Sequence, residues 1–176
     1  MQLSEIRWEL AAAALMVAAV ASSAEAGFQE EYEAKKWEEI EVQLPAMPAA
    51  ANLIPFYVSA ATDNRFFVDG PSLSVDKDGV VRYVLVIETS GGARNVSYEG
   101  MRCETKERRM YASGRADGSW SKSRNNRWEP VREAVSNRYH AALFLDYFCP
   151  GGAIVWTADE ARDALRKGGH PSLKRF

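Results

Sequence analysis

Between Val80 and Thr89 the chain alternates, with Val81, Tyr83, Leu85 and Ile87 on one side and Arg82, Val84, Val86 and Glu88 on the other. Side chains of a strand point to opposite faces in turn, so this run predicts a central, half-covered strand, antiparallel to its neighbours. Further short β segments are expected at Phe56 to Ala61, Phe66 to Asp69, Ser72 to Val75, Arg94 to Thr105 and Glu107 to Ala112. Asp76-Lys77-Asp78-Gly79, Ser90-Gly91-Gly92-Ala93 and Ala116-Asp117-Gly118-Ser119 separate segments of this kind. Each supplies residues that tolerate the positive φ of tight connections.

The period changes in the last third. Pro130 is read as a first helical position, and Val131, Ala134, Val135, Tyr139, Ala142, Leu143 and Tyr147 then form an i, i+4 stripe. A second, shorter helix is bounded by a capping box, Thr157 with Glu160, and by Gly168-Gly169 after Arg166 and Lys167. Strands first and helices second predict an α+β fold, an antiparallel sheet of about five or six strands with C-terminal helices packed on one face.

The amino-terminal 26 residues have a different texture. An apolar run from Leu10 to Val20 leads to Ala24-Glu25-Ala26, which reads as an export signal cut between Ala26 and Gly27, although Glu5, Arg7 and Glu9 leave its first part without clear positive charge. The run falls short of the ~20 apolar residues of a membrane-spanning helix. Three parts are therefore expected: a signal at 1–26, an acidic helical arm with an Ala/Pro linker at 27–52, and one α+β domain at 53–176. The expected protein is soluble, without a transmembrane helix after cleavage.

Removing residues 1–26 leaves 21 basic and 21 acidic residues. A net charge of zero gives no global bias towards nucleic acid or membrane. The charge is segregated, however. Gly27 to Pro45 holds six glutamates against Lys35 and Lys36, whereas Arg94 to Arg138 holds eleven basic residues against six acidic ones. An acidic arm lying on a basic sheet face is one arrangement this permits. Solvated charge on a surface helix and on strand edges is the commoner one and is the expectation.

In an oxidising compartment Cys103 and Cys149 are most simply a disulfide, linking a strand to the end of the first C-terminal helix. A redox or metal-binding pair would call for C-x-x-C or further clustered ligands, and neither is present. No metal or cofactor is expected. His140 and His170 are read as surface residues rather than a ligand pair, and Asp76 to Gly79 as a hairpin turn rather than a calcium loop, since no glutamate follows at the twelfth position. Glu99 lies near Arg82 and Arg102 in the expected strands. A cross-strand ion pair is the expected arrangement there, and a polar pocket the alternative.

Phe67-Val68-Asp69 with Ser72-Leu73, Asp78 to Tyr83, Tyr98 to Cys103, Tyr111-Ala112, Trp120 and Tyr147 to Pro150 together resemble the cryptic neisserial protein 1-like domain family of exported proteobacterial proteins. The resemblance covers most of Trp37 to Pro150. It implies a Gram-negative periplasmic location and a domain without an established activity, so no catalytic residue is carried over. The functional expectation is a non-catalytic binding module of the cell envelope. Arg82, Glu99, Arg102, Arg109, Tyr111 and Trp120 would form its candidate surface for an envelope protein or an anionic ligand. The alternative is a periplasmic hydrolase using Asp69 or Glu99 as general acid or base.

Overall fold

The computed structural model describes residues 36–133 and 138–173. The signal and its cut at Ala26 and Gly27 lie outside the described residues, as does most of the acidic arm. The chain divides into two units, 1–38 and 39–176. Of the first, only 36–38 are described, and they carry no helix or strand.

The second unit is built on one antiparallel sheet. Its strands are β1 (Leu53–Phe56), β2 (Arg65–Asp69), β3 (Ser74–Val75), β4 (Val80–Glu88), β5 (Arg94–Arg102), β6 (Glu107–Gly114), β7 (Trp120–Lys122) and β8 (Glu129–Pro130). The order is β1-β2-β4-β5-β6-β7, with β3 beside β4 and β8 beside β6. The α+β expectation holds. Two short strands, β7 and β8, enlarge the sheet beyond the core strands read from the sequence, and Pro130 belongs to β8 rather than to a helix. Proline suits a sheet margin because it has no N–H to give to a ladder.

The first C-terminal helix does not cover Pro130 to Glu133 as expected, and Ala134 and Val135 of its expected stripe lie outside the described residues. Helix α1 (Arg138–Ala142) runs on into a π-helical stretch, Leu143–Phe148, closed by the Cys149 N–H donating to Phe144 O at 2.9 Å. Helix α2 (Ala158–Arg166) starts as predicted, with Thr157 Oγ1 accepting from the Glu160 N–H at 3.1 Å. Glu160 reaches back one residue further than a simple capping box, to the Trp156 N–H. Arg162 ties α2 to the sheet by donating to the carbonyls of Gly70 and Leu73.

Strand β4 is covered on both faces, not one. On the inner face Val81, Tyr83 and Leu85 pack with Phe66, Val68, Met101 and the helical residues Leu143, Phe144, Tyr147, Phe148 and Leu165. On the outer face Val84, Val86, Val96, Tyr98 and Tyr111 form a second cluster, with Val42, Met47 and Trp120 against it. Burying one such aliphatic or aromatic side chain contributes roughly 1.5–3 kcal/mol.

The outer cover is a strap, residues 39–49, which has no helix or strand. This corrects the helical reading of the arm over its described part, Lys36 to Glu41. The Ile40 N–H is given to Asp78 Oδ2 at 3.1 Å rather than to a helical turn, and Pro45 and Pro48 further along have no N–H to give. Trp120 Nε1 donates to Pro45 O at 2.8 Å, and Pro48 is buried.

The Cys103 and Cys149 sulfurs stand 2.05 Å apart, joining the end of β5 to the end of the π-helical stretch. At the opposite side of the sheet, the free margin of β1 offers little to another strand. The Leu53 N–H donates to Ala50 O, Pro55 has no N–H, and the Tyr57 N–H donates to Tyr147 Oη at 3.1 Å.

Candidate functional site

The alternation of β4 sends Tyr83 inward and Arg82 outward. Register then sets the row beside Arg82: it faces Gly100 on β5, which faces Arg109 on β6. Glycine in the middle of that row leaves a gap. The Tyr111 ring fills it, because a Cβ at position 100 would stand 2.4 Å from Tyr111 Oη and 3.0 Å from two of its ring carbons. The ring centroid lies 5.8 Å from the Arg82 guanidinium carbon and 5.4 Å from that of Arg109, within cation–π range.

Arg82 is only 2% exposed, so its charge must be compensated locally. Asp76 Oδ2 accepts from Nη1 at 2.9 Å and Asp78 Oδ2 from Nη2 at 2.6 Å, both carboxylates being supplied by the β3–β4 turn. That turn is the hairpin expected from Asp76 to Gly79, with Gly79 at φ 74°. Burial pushes the Asp78 carboxyl up, but hydrogen bonds from Arg82 and the Ile40 N–H outweigh it and hold the group below its ordinary value.

A third carboxylate comes from the strap. Glu39 accepts from Tyr111 Oη at 2.5 Å, from Arg82 Nη2 at 3.3 Å, from Trp128 Nε1 at 3.3 Å and from Arg109 Nη1. Burial, followed by the hydrogen bond to Glu39, raises the Tyr111 hydroxyl well above the usual tyrosine range, so it acts as a donor. Asn126 Oδ1 holds the other side of Arg109, accepting from Nε at 2.7 Å. Beside this clamp lies an open pocket of about 410 Å³. The strap residues Val42 and Leu44 line one part of it, and Arg109, Tyr111, Lys122 and Asn126 another. Two guanidiniums, a hydroxyl and an indole N–H thus converge on one carboxylate, an arrangement of charge-assisted hydrogen bonds.

Of the six residues expected to share a surface, Arg82, Arg102, Arg109, Tyr111 and Trp120 lie on the outer face. Trp120 packs 6.4 Å from Tyr98 and anchors the strap. Arg102 ends β5, lies 5.8 Å from the Trp128 ring and is 3.7 Å from both Glu104 and Glu107. Glu99 is on the opposite face, which corrects the expected ion pair with an arginine. It sits opposite Tyr83, not Arg82, and is 3% exposed.

Glu99 Oε2 lies 2.7 Å from His140 Nε2 and accepts from Tyr83 Oη at 3.3 Å, while Ser97 Oγ donates to Oε1 at 2.7 Å. His140 is 1% exposed, so it is a core residue rather than the surface residue expected. His170 Nε2 lies 2.9 Å from Glu160 Oε1. Asp69 is 4% exposed and caps the turn Gly70–Ser72, its Oδ2 accepting from the Ser72 N–H at 3.1 Å. Among the described residues no group of three or more His, Cys, Asp or Glu is placed to hold a metal ion, and no helix is long and apolar enough to cross a membrane.

Sequence reasoning missed Glu39 and Trp128 as members of the clamp, and it read Asp76 and Asp78 only as turn formers. The signal for Glu39 was the opposed charge of the two segments, which permitted contact, as the less expected arrangement, without naming a pair.

The class that emerges is an α+β domain with a helix-covered inner face and a strap-covered outer face carrying an arginine–carboxylate clamp. The chain belongs to the CNP1-like family, whose model matches residues 32–166. It is 24% identical over 163 residues to Cryptic neisserial protein 1 of Neisseria gonorrhoeae (strain ATCC 700825 / FA 1090), a match covering 82% of this chain and 80% of that protein. No solved structure matches the chain.

Proposed function

We propose that this protein is an exported, periplasmic binding module of the cell envelope, without catalytic activity, that takes an anionic partner on the outer face of its sheet. The observation that carries the reading is the pocket beside Glu39, where Arg109 and Lys122 stand with Tyr111 and Asn126 at an opening to solvent. Burial works against the hydrolase alternative, because Asp69 and Glu99 lie in the core and already serve as a turn cap and a buried acceptor. The apolar run and Ala24-Glu25-Ala26 support export. A Cys103–Cys149 bond would suit an oxidising compartment.

Lys122→Glu tests the reading, since Lys122 is exposed and reversing its charge leaves the core intact. Wild-type protein used as bait in an envelope extract should retain a partner that salt releases and that the variant fails to retain. Identical capture by both proteins would remove the pocket from the proposal. The amino terminus of protein recovered from the periplasm should be Gly27, and recovery with Met1 intact would overturn export by this route.

A further inference from the structure

The clamp is full, and what fills it is the chain itself. Glu39 belongs to a strap held at three places: at one end by its own carboxylate and the Ile40 N–H to Asp78, in the middle by Val42 on the outer cluster, and at the other end by Trp120 on Pro45 O and by buried Pro48. Between them Glu41, Gln43 and Leu44 are exposed, Leu44 at 39%. Releasing Glu39 together with the Ile40 N–H and the Val42 side chain would free residues 39–44 while the far anchor stayed in place. The charges left behind are unequal. Arg82 would keep Asp76 and Asp78. Arg109 has Glu39 as its acid partner among the described residues, and Lys122 has none there, so both cations would face the pocket uncompensated.

We infer that Glu39 is an internal stand-in for a partner's carboxylate, and that the clamp binds an acidic peptide segment of a partner protein by exchange with the strap. The ligand class follows from what the strap leaves uncovered: Arg109 and Lys122 take carboxylates, and the outer apolar cluster on which Val42 packs takes the apolar residues of an extended chain. The strap has this composition itself, as Glu39-Ile40-Glu41-Val42. A carboxylate tethered at high effective concentration lowers the apparent affinity of any competitor in proportion to the fraction of time the clamp is open.

This inference rests on the pocket proposed above, and its test uses the full chain with a synthetic probe, the fluorescein-labelled peptide of residues 38–44. Glu39→Ala protein should bind the peptide at least ~10-fold more tightly than wild type, since a clamp open a tenth of the time or less imposes that penalty. Adding Arg109→Ala should abolish the gain, and the peptide carrying Glu39→Gln should bind neither protein tightly. Near-UV circular dichroism checks folding, and the milder Glu39→Gln protein should give an intermediate gain. Equal affinity of wild type and Glu39→Ala for the peptide would overturn the exchange. So would equal binding of the two peptides. Displacement of the peptide by glutarate at matched concentration would show that the clamp reads small dicarboxylates, against the peptide assignment. If Lys122→Glu still loses its envelope partner while the peptide distinguishes no variant, the binding module stands and the strap is a fixed wall.

Discussion

Position 100 has to be glycine for the outer face to assemble, because Tyr111 occupies the volume a side chain would need. Gly100→Ala is expected to lower stability by about 1–3 kcal/mol, the usual cost of overpacking, and to displace Tyr111 from Glu39. Urea unfolding and tyrosine absorbance check the two effects separately. On the inner face the sensitive residue is Glu99. Burial pushes its carboxyl up, but the charge and hydrogen bond of His140 and the Ser97 hydroxyl together hold it below the ordinary value. A carboxyl lowered in the folded state is favoured there in its ionised form. Its stabilisation is therefore complete above the unfolded value of about 4.3 and is lost as pH falls through the lowered folded value. Asp78 acts in the same direction. Urea midpoints should accordingly hold at neutral pH and fall below about pH 4. Glu99→Ala should cost about 3 kcal/mol at neutral pH by taking the buried acceptor from the Tyr83 and Ser97 hydroxyls and the His140 ring, and should flatten the acid limb. The facing of Arg82 and Tyr83 was legible in the alternation of one strand. The partner of Glu99 was not, since His140 lies 41 residues away on a helix whose packing no local pattern specifies.

Elements announced by short-range chemistry were read correctly, and elements set by distant contacts were shifted. The start of α2 was legible because Thr157 and Glu160 cap it within one turn; Thr157→Ala should cost about 1 kcal/mol, measured by thermal or urea unfolding. Strand β1 was expected at Phe56 to Ala61 but ends at Phe56. The next residue, Tyr57, gives its N–H to the Tyr147 hydroxyl, a group 90 residues away, and the ladder stops there. Helix α1 shows the same limit. Its apolar stripe was visible, but the widening to π-helical geometry over Leu143–Phe148 leaves no trace in the spacing. The cross-link at the end of that stretch closes a separation of 46 residues, for which chain entropy gives roughly 4 kcal/mol. Replacing both cysteines by serine should lower the unfolding free energy by about that much, and mass spectrometry of unreduced protein should show Cys103 joined to Cys149.

Across the whole molecule, the segregation of charge along the sequence has become a division between parts. An acidic strap residue lies on a sheet face that carries Arg82 and Arg109, the less expected of the two arrangements the sequence allowed. The two faces also explain why β4 was mistaken for a half-covered strand. Its outer residues include Arg82 and Glu88, which look like a solvent face, yet the turn and the strap supply the carboxylates that allow Arg82 to be buried. A last consequence concerns how such a chain matures. With two cysteines in the sequence, oxidation within one chain has a single possible product. Maturation of the monomer then requires an electron acceptor but no reshuffling of wrongly joined sulfurs, so an oxidase alone should suffice where chains with several bridges also need an isomerase.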